Sequence, residues 1–164
     1  MPDLFERYAP HWLNRADRRI AAWMAEHGPT LLRYAVGLVF IWFGGLKLFE
    51  GASPAEALVK RTVYWFEPAW FFPLLGVWEV AIGVGLLVKP LVRLAILLLF
   101  LQMPGTFMPL VIVPEACWEA FPFVLTLEGQ YIVKNLVIIA AALVVGGTVR
   151  AETDAPRPHP ASAR

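Results

Sequence analysis

Apolar residues fill four long stretches of this chain: Thr30 to Phe49, Trp70 to Val88, Leu91 to Val113 and Tyr131 to Val149. A hydrocarbon core about 30 Å thick is crossed by about 20 helical residues, each rising about 1.5 Å. Every stretch is near that length, so the pattern predicts an all-α membrane protein with four spans. The turn Lys89-Pro90 is too short for anything but antiparallel neighbours. The expected architecture is therefore an antiparallel four-transmembrane-helix bundle in a lipid bilayer.

The segments around the spans carry their own patterns. Leu13, Ala16, Ile20, Trp23 and Met24 recur at helical spacing, with Arg15, Arg18, Arg19 and Glu26 between them. This predicts an N-terminal interfacial amphipathic helix, set off by Pro10 from the group Leu4, Phe5 and Tyr8. It reads as an anchor for the bundle or as a docking helix for a partner. Ser53-Pro54-Ala55-Glu56 has the form of a capping box and predicts a short helix to about Phe66. Trp65, Phe66, Trp70, Phe71 and Phe72 form an aromatic belt, and Pro73 is expected to open the second span. Pro104 and Pro109 interrupt the third span and are expected to kink or partly unwind it. Pro114 to Thr126 reads as an aromatic loop. The division is residues 1–29, an amphipathic cytoplasmic segment; 30–149, the membrane domain; and 150–164, a Pro-rich tail expected to be disordered.

Composition narrows the function classes. The chain of 164 residues is 59% hydrophobic with a formal net charge of +1, so no basic face for nucleic acid is expected. One cysteine, Cys117, excludes an intramolecular disulfide and a Cys-x-x-Cys redox pair. The histidines His11, His27 and His159 all lie outside the spans, so neither intramembrane haem ligation nor a Glu-x-x-His dimetal site is expected. No metal site is expected. The first residues lack the apolar core of a signal peptide, and the first span is expected to serve as an uncleaved anchor. Lys and Arg favour the side holding both termini and Lys89, which predicts cytoplasmic termini.

Charges inside apolar spans are costly and mark the places to look for function. Arg33, Gly37, Phe40, Gly44 and Lys47 share one helical face, as do Gly76, Glu79 and Gly83. Small residues allow close helix approach in lipid, so both faces are expected to turn inward. Lys47 and Glu79 then differ in depth by roughly 4–5 Å, within reach of a lysine. Gln102, Lys134 and Asn135 complete a candidate ligand-binding set in the outer half of the bundle. Trp42, Trp78 and Tyr131 are candidate aromatic walls, and the Pro104 kink is a candidate opening. Such a pocket suits a quinone or a small anion. The alternative is a Lys47–Glu79 ion pair that fixes helix register, with Lys134 snorkelling outward and Gln102 satisfying carbonyls freed by Pro104. Arg33 and Arg93 read as interface snorkellers.

Phe40-Ile41-Trp42-Phe43-Gly44-Gly45-Leu46-Lys47, Gly76-Val77-Trp78-Glu79-Val80-Ala81-Ile82-Gly83 and Thr126-Leu127-Glu128-Gly129-Gln130-Tyr131-Ile132-Val133-Lys134-Asn135 resemble the DoxX family of small bacterial membrane proteins. The resemblance runs from about Leu31 to Val149. It implies a four-helix protein of the bacterial inner membrane. The family takes its name from a subunit of a thiosulfate:quinone oxidoreductase, so the resemblance implies a redox-linked subunit, a quinone or sulfur-oxyanion ligand, and other membrane or redox subunits as partners. No cofactor motif in the chain adds to this. Two other classes fit the same residues: a non-catalytic scaffold or assembly factor, and a small-solute or proton transporter, which four spans without a clear inverted repeat would favour only in a homo-oligomer.

Overall fold

The computed structural model describes residues 10–154. Leu4, Phe5, Tyr8 and the tail from 155 to 164 lie outside the described residues. The chain forms α1 (His11–Leu46), α2 (Glu56–Thr62), α3 (Pro68–Leu87), a 3₁₀ turn (Lys89–Leu91), α4 (Val92–Phe107), α5 (Pro109–Ile112) and α6 (Pro114–Cys117). A short hairpin follows, β1 (Trp118–Ala120) and β2 (Val124–Leu125), then α7 (Leu127–Val133) and α8 (Asn135–Asp154). Four helical segments are long and apolar enough to cross a membrane: His11–Leu46, Pro68–Leu87, Lys89–Ile112 and Leu127–Val149.

The first helix is longer than its apolar run. α1 holds 36 residues and passes through Pro29 without ending, giving a rod of about 54 Å. The amphipathic stretch is thus continuous with the first span, and the boundary drawn at residue 29 falls inside one helix. Trp12, Ile20, Trp23 and Met24 stay exposed on this extension. At the other end of the chain, α8 reaches Asp154, so helix continues into the tail expected to be disordered from residue 150.

α1 and α3 make the closest helix contact. The residues α1 buries, Arg33, Gly37, Phe40 and Gly44, repeat every three or four positions, and Lys47 extends the series. A Cβ on Gly83 would stand 2.6 Å from the Gly37 carbonyl oxygen, and one on Gly44 would stand 2.8 Å from that of Gly76. The partners run in opposite chain directions. Contact held over seven residues, about 10 Å of axis, means that the two axes stay nearly aligned, as a 3.5-residue repeat dictates. Gly85 meets Ala95 of α4 in the same manner, where a Cβ would approach the alanine methyl to 2.9 Å. Phe40, Ile82, Leu86, Val92, Leu99, Met103, Ala142 and Val145 form the apolar core between these helices and α8.

Several local readings are corrected. Glu56 begins α2, and Ser53 makes no side-chain cap. Neither half of the capping box forms: Glu56 Oε2 accepts instead from the Gly51 N–H at 2.9 Å, two residues ahead of Ser53. α2 ends at Thr62 rather than Phe66. α3 opens at Pro68, and Pro73 lies within its first turns. α4 continues through Pro104, and the break comes at Met108–Pro109. Pro104 thus sits inside α4 without ending it, and it offers no amide to the Phe100 carbonyl. The aromatic loop contains α6 and the hairpin. Pro114 cannot donate to the Leu110 carbonyl, which instead accepts from Trp118 Nε1 at 3.2 Å. Thr126 caps α7 by accepting from the Gly129 N–H at 3.1 Å, while its hydroxyl donates to the Ala116 carbonyl at 2.6 Å.

Candidate functional site

Lys47 stands at the C-terminal cap of α1, where helix carbonyls carry partial negative charge. Its ammonium donates to the Phe43 carbonyl at 3.4 Å and to Glu79 Oε2 at 2.5 Å. The contact is possible because Gly44 and Gly76 bring the two backbones together: a Cβ on Gly76 would come within 2.9 Å of Lys47 Cβ. Glu79 lies mid-way along α3, and both residues are buried, at 7% and 8% exposure.

A third helix completes the site. Gln102 of α4 donates from Nε2 to Glu79 Oε1 at 2.8 Å. Each carboxylate oxygen therefore has its own donor, one cationic and one neutral. The Gln102 side chain goes to Glu79 and not to carbonyls freed by Pro104. The other amide atom of Gln102, Oε1, is buried beside Glu79 and has no partner among the described residues; Trp78 Nε1 is likewise buried without one. A buried acceptor or donor without a partner costs on the order of 1–3 kcal/mol.

The remaining expected members stand elsewhere. Lys134 is exposed on the outside of the helices, with its ammonium 4.1 Å from the Tyr131 ring centroid and 5.5 Å from that of Phe43. No ion pair joins Lys134 to Glu79 among the described residues. Its place follows from a break in the last span: α7 ends at Val133, Lys134 is the hinge, and α8 starts at Asn135. Asn135 holds this break, donating from Nδ2 to the carbonyls of Tyr131 at 3.1 Å and Ile132 at 2.9 Å. Its amide is used on the carbonyls of α7 across the break and not on Glu79. Trp42 and Tyr131 are 66% and 49% exposed, so they are not walls of a pocket at Glu79, whereas Trp78 is half-buried and packs against the core. Pro104 lies inside α4, and Pro109 opens α5 after the break.

The sequence placed Arg33 on an inward face yet also read it as an interface snorkeller. Arg33, taken as a snorkelling side chain, is 6% exposed. The signal was present: Arg33 shares the spacing of Gly37, Phe40 and Gly44.

Cys117 is wholly buried, and burial pushes its thiol up, with the charges of Glu128 and Glu115 adding to the effect. Among the described residues no three His, Cys, Asp or Glu side chains cluster as a metal site would require. No family model, curated protein or solved structure matches this chain.

Proposed function

We propose that this protein is a redox-linked subunit of the DoxX type, an antiparallel four-span bundle in the bacterial inner membrane with both termini cytoplasmic, and that it binds a quinone headgroup beside Glu79. The observation that carries the reading is the buried Glu79 carboxylate, donated to from two other helices, with the Gln102 amide oxygen left over next to it. Charge at this depth is retained at considerable cost.

The leftover atom fits the ligand: a quinol hydroxyl donates a hydrogen bond, as Gln102 Oε1 would receive. A bound quinone supplies the ability to take up electrons and protons together. Lys47 meets the Glu79 charge at Oε2, and Gln102 occupies Oε1. The sulfur-oxyanion version is weaker, because the Lys47 charge is already met by Glu79 and Lys134 lies outside.

The test uses the purified full chain in lipid nanodiscs with short-chain ubiquinone and menaquinone analogues and with thiosulfate. The proposal expects a thermal shift and photo-crosslinking at α3 or α4 with a quinone analogue, both reduced in Glu79→Gln. Absence of both with every quinone sinks it.

A second reading has its own observation. The extension of α1 carries the exposed Trp12, Ile20, Trp23 and Met24 beyond the apolar run, as a scaffold or assembly factor would present to a partner. Deleting residues 1–26 then abolishes the cellular phenotype, while Glu79→Gln leaves it intact at equal protein level.

A further inference from the structure

A polar cavity lies at the end of the helices where α3 turns into α4, away from Glu79, and the quinone reading makes no use of it. It has a volume of about 50 Å³ and is lined by Pro29, Thr30, Arg33, Lys89, Thr148 and Val149. These residues come from three places: the start of the first apolar run, the turn after α3, and the end of the last apolar run. All are the points where the chain leaves the hydrocarbon, so the cavity sits at the level of lipid headgroups.

We propose that this cavity binds a phosphate group bearing a net negative charge, with Arg33 as its principal ligand. Arg33 is 6% exposed. Among the described residues its guanidinium makes no hydrogen bond and meets no carboxylate; its partner is the Tyr34 ring, 4.8 Å from Cζ to centroid. An aromatic face compensates a buried cation only in part. On its inner side Arg33 borders Val36, Leu86, Leu99 and Val145, which offer no polar atom from their side chains. A buried cation without a counter-ion is costly, and an anion entering the cavity removes that cost.

Phosphate matches the remaining chemistry. The planar guanidinium fork pairs with two phosphate oxygens at once. Lys89 adds a second positive charge on the cavity wall. Thr30 is exposed and can donate its hydroxyl; Thr148 donates to the Val145 carbonyl at 2.8 Å, so it shapes the wall without serving as a donor. Basic pockets between spans at this level hold phospholipid headgroups. A free phosphate ion presents the same oxygens, and the two sources separate by experiment.

The full-length protein is placed in phosphatidylcholine nanodiscs with and without phosphatidylglycerol, and separately in neutral detergent with inorganic phosphate or chloride at equal ionic strength. Thermal stability and native mass spectrometry report binding. A rise in Tm with phosphatidylglycerol, and retention of one such lipid, identifies a headgroup site. A rise with inorganic phosphate in detergent alone identifies a free-ion site. In either case Arg33→Gln is expected to lower retention or apparent affinity by about tenfold or more, the loss of a charge-assisted hydrogen bond. Arg33→Lys, which keeps the charge but not the fork, is expected to fall between and serves if Arg33→Gln does not accumulate. The proposal is overturned if neither probe stabilises the wild type, or if the Arg33 variant that accumulates responds as the wild type does.

Discussion

Lys47 and Glu79 are 32 residues apart in the chain, yet Nζ donates to Oε2 at 2.5 Å within a glycine-lined contact between α1 and α3. The contact and the ion pair depend on each other. Gly44 and Gly76 set the distance between the backbones, and that distance sets whether the ammonium reaches the carboxylate. A buried pair of this kind contributes less net stability than its Coulomb attraction implies, because both charges have left water. Its loss from one side is costly, because the other charge remains.

Lys47→Met is therefore expected to destabilise the protein by about 3–5 kcal/mol, as removal of one partner of a buried pair does. The double variant Lys47→Met/Glu79→Leu is expected to recover most of that loss. Unfolding of both variants in mixed micelles followed by circular dichroism measures the difference. Equal destabilisation by the single and double changes would show that the pair is not an energetic unit.

Gly44→Ala places a methyl where Glu79 Cβ and the Gly76 carbonyl already stand, each 2.8 Å from the new carbon. Neither is the end of a flexible side chain, so the helices must separate. The expected cost is about 1–3 kcal/mol. Gly45→Ala meets nothing within 4 Å and is the matched control, expected to be neutral. The same micelle titration reads both.

Lys134→Gln removes an ammonium that rests on Tyr131 and Phe43 from outside. The loss is expected to be about 0.5–1 kcal/mol, that of an accessible cation–π contact. Quinone-analogue crosslinking at α3 is expected to be unchanged. A loss of crosslinking equal to that of Glu79→Gln would return Lys134 to the site.

The start of α2 is expected to respond to pH at both extremes. The hydrogen bond from Lys60, then that from the Gly51 N–H, hold the Glu56 carboxyl below the usual carboxylate range; the same bond raises Lys60. A depressed acid contributes stability above its unfolded pKa and loses it as pH falls through the folded value. A raised base contributes below its unfolded pKa and loses it as pH rises through the folded value. The Gly51 amide resonance, which reports the bond to Glu56 Oε2, should move on acidification in the wild type and not in Glu56→Gln. Lys60 is exposed and Glu56 partly covered at the surface, so global stability should change little.

Hydropathy and periodicity are properties of a single segment, and they reached as far as single segments allow. The four apolar helices, the buried series Arg33, Gly37, Phe40, Gly44 and Lys47, and the facing set Gly76, Glu79 and Gly83 were all legible in the chain. Two glycine faces with one cation and one anion can meet in lipid in few ways. The meeting of Lys47 with Glu79 was therefore readable before any coordinates.

Rotation of one helix against several others was not readable, because it depends on packing summed over the whole bundle. Gln102 could face a backbone carbonyl or a neighbouring helix; only the approach of α4 to α3 gave it Glu79. Lys134 lies inside the last apolar stretch, and the break held by Asn135 turned it outward. Arg33 obeys the same spacing as its glycine neighbours, but the enclosure of its guanidinium required the ends of α3 and α8 to close around it. Local pattern decided which residues turn inward on α1 and α3; the three-dimensional closure of the bundle decided which polar groups found a partner.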